Sequence, residues 1–405
     1  MINKNLRKKD IIKLIERLDI SPSMFKAATD KYINVGKFLL DNNISAEIYP
    51  QGSFATGTVV RPYRDSNDSN YDVDCICLLN VNKSDVEAKE VKNIIGDILK
   101  SNKMYAEKLL PEDSRCWTLE YAENSGIGFN LDLVPSVDAD YDTISKIISI
   151  GVKDDFANKA ISITNKERAI YNWCNSNPKG YAEWFNEINK PFLDYNRKEK
   201  RQMLFEANRH IYNSVEEIPC DLERSALQRV VQILKRHRDI YFAKINRTDD
   251  KPISAIITTL VGKIGENITP NLEIFDLLQH VVNEIYKYSE LLSLNQQDFS
   301  ILYENSYFVN KDNDRWTILN PVNPLDNLAD SWNDKPEKAK IFFKWVKQIK
   351  MDFLGSLDLE DDKFINILEN SLGSNLVKNN IDIKKYNNMT VAPTVIMNTP
   401  KPYRN

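Results

Sequence analysis

Two aspartates one residue apart in an otherwise apolar run, Tyr71-Asp72-Val73-Asp74-Cys75-Ile76-Cys77-Leu78-Leu79, constrain this chain more than any other feature. The run reads as a β-strand, an element from which Asp is depleted. Side chains alternate along a strand, so Asp72 and Asp74 share one face while Val73, Cys75, Cys77 and Leu79 share the other. The fold must bury the second face and find a use for two neighbouring carboxylates on the first. Side by side they repel, and each resists ionisation next to the other. A divalent cation removes that conflict. Magnesium takes hard oxygen ligands, commonly one or two carboxylates plus substrate phosphates.

A third carboxylate follows in a later strand, Asp132 within Asn130-Leu131-Asp132-Leu133-Val134. From a neighbouring strand it would complete a two-metal site, one ion ionising an attacking hydroxyl and the other binding a triphosphate and its leaving pyrophosphate. Upstream, Gln51-Gly52-Ser53 stands at a strand-to-helix turn. Gly lets the backbone approach a substrate closely, the helix start offers free N–H groups to an anion, and the Ser53 hydroxyl adds one more hydrogen bond. Each piece has a plainer use alone. Gly-Ser before a helix is a common turn, and Asp132 among apolar residues suits a paired structural carboxylate. Their order, each in its expected element, argues for one joint site.

Bulk properties narrow the class. The 405 residues suit two domains or one bilobed one. A net charge of −4 argues against a protein built mainly to grip nucleic acid, although 54 Lys and Arg leave room for a local basic cleft. Apolar stretches such as Ile253 to Val261 fall far short of the roughly 20 residues of a membrane span. No apolar segment follows the Lys- and Asn-rich Met1 to Asp10, so no signal peptide is expected. Cys75, Cys77, Cys116, Cys174 and Cys220 read as reduced core thiols of a cytoplasmic protein. A zinc reading of Cys75 and Cys77 lacks a nearby second pair, since His210, His237 and His280 are scattered.

Along the chain, helical periodicity covers residues 10 to 42 with Ser21-Pro22 dividing two helices. Strands are expected at 46–51, 71–79, 116–121 and 127–135, with a turn near Asn124 to Gly126. A helix is expected over 84–100 and a polar loop over 61–70. Beyond about residue 155 the pattern is mostly helical: 180–190, 198–212, 221–243, 253–265, 271–294 and 334–355. The two prolines in 319–331 forbid one continuous helix there. From about 371 the core pattern weakens. Tyr307, Phe308 and Trp316 are core aromatics by default.

The runs Gln51-Gly52-Ser53-Phe54, Tyr71-Asp72-Val73-Asp74 and Leu131-Asp132-Leu133-Val134-Pro135 resemble the DNA polymerase β-like nucleotidyltransferase superfamily. Within it the stretch QGSFATGTVVRP is similar to the bacterial CD-NTases, relatives of animal cyclic GMP–AMP synthase and the oligoadenylate synthases. Val231-Gln232-Ile233-Leu234-Lys235-Arg236-His237-Arg238 resembles the family's helix with a phosphate-contacting lysine, here Lys235. Lys251-Pro252-Ile253-Ser254 resembles the segment whose serine approaches the triphosphate, here Ser254. Taken alone, Lys235 to Arg238 would be a solvated basic face, and Ser254 a helix cap. Arg61 and Arg64 stand where they could reach phosphates or base. The Asn320 to Ala329 run resembles an Asn/Pro motif of the oligoadenylate-synthase-like core.

The resemblance implies an α+β fold: a polymerase β-like nucleotidyltransferase core with a mixed sheet and spine helix over 1–155, a helical lobe over 156–370 closing the nucleotide cleft, and a tail over 371–405. It implies catalysis and metal binding by Asp72, Asp74 and Asp132, and phosphate binding by Gln51, Gly52, Ser53, Lys235 and Ser254. Two Mg²⁺ would serve, with Mn²⁺ able to substitute. The implied substrates are NTPs, ATP or GTP foremost and pyrimidine NTPs in reserve. The product would be a cyclic di- or trinucleotide closed through a linear intermediate, and it would activate a separate effector protein in bacterial anti-phage (CBASS) signalling. Activation by DNA or RNA is not expected, because the later chain lacks clustered Cys and His for a zinc-ribbon insertion. The terminal Pro402-Tyr403-Arg404-Asn405 does not suit conjugation to a target. Two alternatives stand: a linear oligonucleotide synthase or a nucleotidyltransferase acting on RNA or protein, and an inactive nucleotide-binding partner on the same fold.

Overall fold

Ser21 and Pro22 divide the first two helices as expected. Helix α1 (Lys4–Glu16) ends before them, and α2 (Pro22–Asp41) begins with the Ser21 hydroxyl accepting the Met24 amide at 3.2 Å. Pro22 occupies the first turn, where the absent N–H would have had no partner. The computed structural model describes residues 2–61, 63–64, 67–68, 70–122, 128–207, 223–303 and 308–387. The two helices serve different cores. Met24, Ala28, Val35 and Leu39 of α2 cover the sheet, whereas Ile11, Leu14 and Ile15 of α1 are buried with the helical half of the chain.

Six strands form the sheet: β1 (Ala46–Pro50), β2 (Tyr71–Leu79), β3 (Trp117–Tyr121), β4 (Phe129–Asp138), β5 (Ile161–Glu167) and β6 (Ile170–Ser176). The order is β1-β2-β4-β5-β6, with β3 also on β4. Strands β2 and β4 are parallel, and every other pairing is antiparallel. A parallel pair needs a crossover, and α3 (Ala88–Ser101) lies within it, burying Val91, Ile95 and Leu99 on the same core as Cys75 and Cys77. Strand β4 is long enough to fork the sheet: Phe129 to Leu133 take β3, and Ser136 to Asp138 take β5. The polar stretch read as a loop holds a short hairpin, Tyr63–Arg64 with Asn67–Asp68. The expected turn at Asn124 to Gly126 lies outside the described residues.

Strands β5 and β6 correct the expectation of a helical chain beyond about residue 155; the sheet continues to Ser176. Hydropathy hid them because much of what they bury is polar. Ser162 and Thr164 are fully buried in β5, and β6 carries Asn172 and Asn175. The helices that follow are α4 (Pro178–Ala207), which keeps Pro191 inside it, α5 (Ala226–Lys244), α6 (Ser254–Gly265), α7 (Ile274–Lys287), α8 (Glu337–Ile349), α9 (Asp361–Leu372) and α10 (Ser374–Asn380). The Asn/Pro run is a small hairpin, Leu319–Asn320 with Asn323–Asn327. Its amides serve the backbone: Asn327 Oδ1 accepts from the Ile318 and Ala329 amides at 2.9 and 3.1 Å. Trp316 is core, as expected.

The end of the described chain is also core, against the expectation of a weakly packed tail from 371. Leu372, Val377, Ile381 and Tyr386 are buried with Phe364, and the Tyr386 hydroxyl donates to Asp10 of α1 at 2.5 Å. Helix α1 is thus fastened by the far end of the sequence, a contact that local periodicity cannot announce. Among the described residues no helix is long and apolar enough to cross a membrane.

Candidate active site

The register of the sheet brings the carboxylates together. Across the parallel β2–β4 pair, Asp74 stands beside Asp132 and Asp72 beside Asn130. On the other side of β4, Asp132 stands beside Thr118. Partners in register point to the same face, so the three carboxylates occupy one face. On the opposite face Val73, Cys75, Cys77 and Leu79 are buried, as their alternation requires. Cys75, Cys77, Cys116 and Cys174 are free thiols, and burial pushes the Cys77 thiol up to about 12. Cys220 lies outside the described residues.

Electrostatics mark this face. Asp74 is pushed up to about 7, first by burial and then by the charges of Asp132 and Asp72, against a small opposing pull from Lys235. Asp132 is also raised, mainly by burial, while the Thr118 hydroxyl donating to its Oδ1 at 2.6 Å works the other way. Asn130 Nδ2 donates to Asp72 Oδ1 at 3.2 Å. Among the described residues no three Asp, Glu, His or Cys side chains are already drawn into an ion-gripping cluster. An all-oxygen donor set in which burial and neighbouring carboxylates raise Asp74 fits magnesium, which relieves the conflict and fills its remaining positions with water and phosphate.

Gly52 faces this site from the turn after β1. The single helical turn Gly52–Ala55 starts at Gly52 with φ +60°, a conformation that costs other residues about 1–2 kcal/mol. A β-carbon there would lie 2.9 Å from Asp74 Oδ2. Gln51 contributes its backbone: its amide donates to the Asp74 carbonyl at 2.8 Å, and its side chain makes no capping bond. Ser53 is half-buried next to Gly52, and its carbonyl accepts the Thr58 amide at 2.9 Å.

Helix α5 supplies the cation. Lys235 to Arg238 are all buried, which overturns the solvated-face reading. Lys235 Nζ donates to the Thr58 carbonyl at 3.0 Å. Burial, and then the neighbouring Arg238, push its amine down to about 8, with Asp239, Asp74 and Asp72 pulling the other way. Arg238 leans to one side and donates to the Ser254 hydroxyl at 3.0 Å and the Pro252 carbonyl at 3.1 Å. Ser254 opens α6 without capping it, the cap position being Ile253. Arg236 leans to the other side, onto the Leu372 and Arg61 carbonyls, each at 3.0 Å. His237 is structural: its Nδ1 accepts from Trp345 Nε1 at 3.0 Å, so its Nε2 carries the proton facing Asp352 at 2.9 Å. The Arg64 side chain lies outside the described residues.

Three supporting residues escaped the sequence reading. Thr118 steadies Asp132. Gln228 donates to the Thr56 carbonyl at 2.9 Å, and Gln232 donates to the Val59 carbonyl at 2.6 Å and to Asp19 at 2.7 Å. With Lys235 and Arg236 they form a stripe at i, i+4, i+7 and i+8, and it holds four carbonyls of the segment that follows the Gly-Ser turn. The signal was present, a polar stripe inside an otherwise apolar helix, but without the segment it meets it reads as solvent-facing. Gln232→Leu leaves the buried Val59 carbonyl without its side-chain donor, while Asp19 keeps Arg229. Calorimetry is expected to show a loss of about 1–3 kcal/mol of stability for the carbonyl so orphaned.

Comparison with known proteins follows the same line. Residues 46–133 match the family profile of the nucleotidyltransferase domain described as cyclic GMP-AMP synthase DncV-like. A c-di-GMP synthase from Roseivirga ehrenbergii is 28% identical over 346 residues, covering 84% of this chain and 76% of the relative. The fold is similar to the CD-NTase CdnG of Bradyrhizobium diazoefficiens, solved with GTP, at a TM-score of 0.66 and 18% identity over 94% of this chain and 99% of that one. It is also similar to the STING-associated CdnE c-di-GMP synthase of Capnocytophaga granulosa, at a TM-score of 0.51 and 15% identity over 84% of this chain and 85% of that one.

Proposed function

We propose that the chain is a bacterial CD-NTase, a nucleotidyltransferase that joins two NTPs into a cyclic dinucleotide on the face built by Asp72, Asp74 and Asp132. The observation that carries this reading is the juxtaposition of Asp74 with Asp132 in register and with Gly52 in van der Waals reach. GTP is the first candidate substrate. The Roseivirga relative and the Capnocytophaga structure are named c-di-GMP synthases, and the Bradyrhizobium structure holds GTP. With α-labelled GTP as the sole nucleotide, a phosphatase-resistant product is expected. A product that forms only when a second NTP is added would overturn the preference for GTP.

Asp72, Asp74 and Asp132 would hold two Mg²⁺, which when bound supply ionisation of the attacking hydroxyl and charge stabilisation of the departing pyrophosphate. The protein's own groups do the rest. Gly52 brings the backbone of the turn against the carboxylates and leaves room for phosphate oxygens. Lys235, protonated at neutral pH on the Thr58 carbonyl, exchanges that carbonyl for a triphosphate oxygen. Ser254 is aimed by Arg238, and Thr118 fixes the rotamer of Asp132. The acceptor hydroxyl oxygen bonds to the α-phosphorus as the α–β bridge breaks, and repetition on the linear intermediate closes the ring. The catalytic unit, on this reading, runs from α2 to β6, and the helical unit takes α1 together with α4 onward. The enzyme works in the cytoplasm, and its product is a signal for a separate effector in anti-phage defence.

Two predictions follow the geometry. Lys235→Met removes a ground-state phosphate contact, so KM for the triphosphate is expected to rise about tenfold or more, measured by steady-state kinetics. The raised Asp74 sets a pH–metal crossover. Protons and Mg²⁺ compete for the same oxygens, so at low Mg²⁺ the rate is expected to climb with pH to near 7, the value to which Asp74 is pushed. Raising Mg²⁺ should shift that limb toward acid. A limb unmoved by Mg²⁺ would separate the titrating group from the metal site.

A further inference from the structure

We infer that Lys251 takes the terminal phosphate of the bound NTP, and that Asp239 is the positioning residue which holds Lys251, Arg238 and Ser254 in place for it. The inference rests on the reading of the carboxylate face as an NTP site.

Asp239 is buried in α5, and a buried carboxylate needs a partner. Its Oδ1 accepts from Arg238 Nε at 3.0 Å and meets Arg238 Nη2 at 2.8 Å and Lys251 Nζ at 3.3 Å. Burial works against ionisation, but Arg238 and then Lys251 outweigh it and hold the carboxyl below the ordinary range. Asp239 is therefore charged at neutral pH. The guanidinium it orients is the one that donates to the Ser254 hydroxyl and the Pro252 carbonyl. One carboxylate thus sets both the lysine and the serine that flank Pro252 and Ile253. Its two partners are not equal. Arg238 is buried and brings two donors, whereas Lys251 brings one longer contact from a side chain that is 39% exposed. A pair with one member in solvent is weakly held. Lys251 can leave for a phosphate at little cost, and Asp239 keeps Arg238.

Placement along α5 names the phosphate. Lys235 and Asp239 are four residues apart and share one face of the helix, one turn or about 5.4 Å apart along its axis. Lys235 lies within electrostatic reach of Asp74 and Asp72 and also of Asp239. From the carboxylates, the row of cations therefore runs through Lys235 to Lys251, with Ser254 beside it. A triphosphate whose α-phosphorus sits on the carboxylates lays its tail along this row. The lysine farthest from the metal face meets the last phosphate, and a compact ammonium on a flexible stem suits that end. The backbone carrying it stays put, because Arg238 holds the next carbonyl.

Isothermal calorimetry with Mg²⁺ and the α,β-methylene analogues of GTP and GDP, which cannot be transferred, tests this apart from turnover. The wild type is expected to prefer the triphosphate. Lys251→Met should cut that preference about tenfold and leave the Kd of the diphosphate where it was, while Lys251→Arg should keep most of it. Lys251→Met leaves the buried Asp239–Arg238 pair whole, so its fold is not at stake. Asp239→Asn should weaken the triphosphate as well, and Lys251→Met should cost less in that background than in the wild type, as coupled residues do. A triphosphate preference that Lys251→Met leaves unchanged overturns the inference, as does an equal loss for both analogues. Additive effects of the two substitutions overturn the positioning role of Asp239. A wild type that binds no triphosphate analogue, of GTP or of ATP, would instead bring down the NTP reading beneath it.

Discussion

Asp72→Asn/Asp74→Asn is expected to lower the rate of nucleotide joining by more than about a thousandfold while raising thermal stability at neutral pH in EDTA. The two effects have one origin. Asp74 is held at about 7 by burial and by its two acidic neighbours, whereas in the unfolded chain it titrates near the ordinary value of about 4. Between those values the folded protein binds more protons than the unfolded one, so stability falls as pH rises through that window. Above it the penalty is complete. An asparagine of the same shape removes the buried charge and with it the penalty, of order a few kcal/mol. Initial rates with Mg²⁺ and differential scanning calorimetry in EDTA at pH 7.5 check both halves. A structural carboxylate pair predicts the opposite sign in calorimetry, because losing a partnered charge destabilises.

Gly52→Ala is expected to reduce kcat about a hundredfold in a protein that still folds. Alanine at φ +60° carries a local cost of about 1–2 kcal/mol, which lowers Tm modestly. The larger consequence is steric. The new methyl group would lie 2.9 Å from Asp74 Oδ2 and 3.8 Å from its Cγ, closer to the oxygen than carbon and oxygen tolerate. Either the turn retreats from the carboxylates or Asp74 rotates away from Asp132; both displace the group that must meet the phosphate. Steady-state kinetics alongside circular dichroism separates this from simple unfolding. A variant with normal kcat would show that the turn does not need its close approach.

The legible part of this protein is the part whose chemistry is local. Alternation in the run from Tyr71 to Leu79 fixed which side chains are buried and which face the site, and Cys75 and Cys77 lie where that alternation puts them. The approach of Gly52 to Asp74 was readable only as a glycine at a turn; the contact needed the register of β1 on β2. What escaped depended on partners distant in sequence. Strand β5 buries Ser162 and Thr164 and β6 has no fully buried residue, so no hydropathy pattern announced them. The polar stripe of α5 looks solvated until the carbonyls of residues 56–61 are set against it. Tyr386 packs on Phe364 and gives its hydroxyl to Asp10, 376 positions away.

The most direct test of the account is the product itself. Purified protein is incubated with labelled GTP and ATP and Mg²⁺ or Mn²⁺, treated with phosphatase and resolved by thin-layer chromatography and mass spectrometry, with Asp72→Asn/Asp74→Asn alongside. The account expects a phosphatase-resistant compound with the mass of a cyclic dinucleotide, absent from the variant. A wild-type protein that yields only linear, phosphatase-sensitive products, or a variant that makes the same cyclic compound, would contradict it.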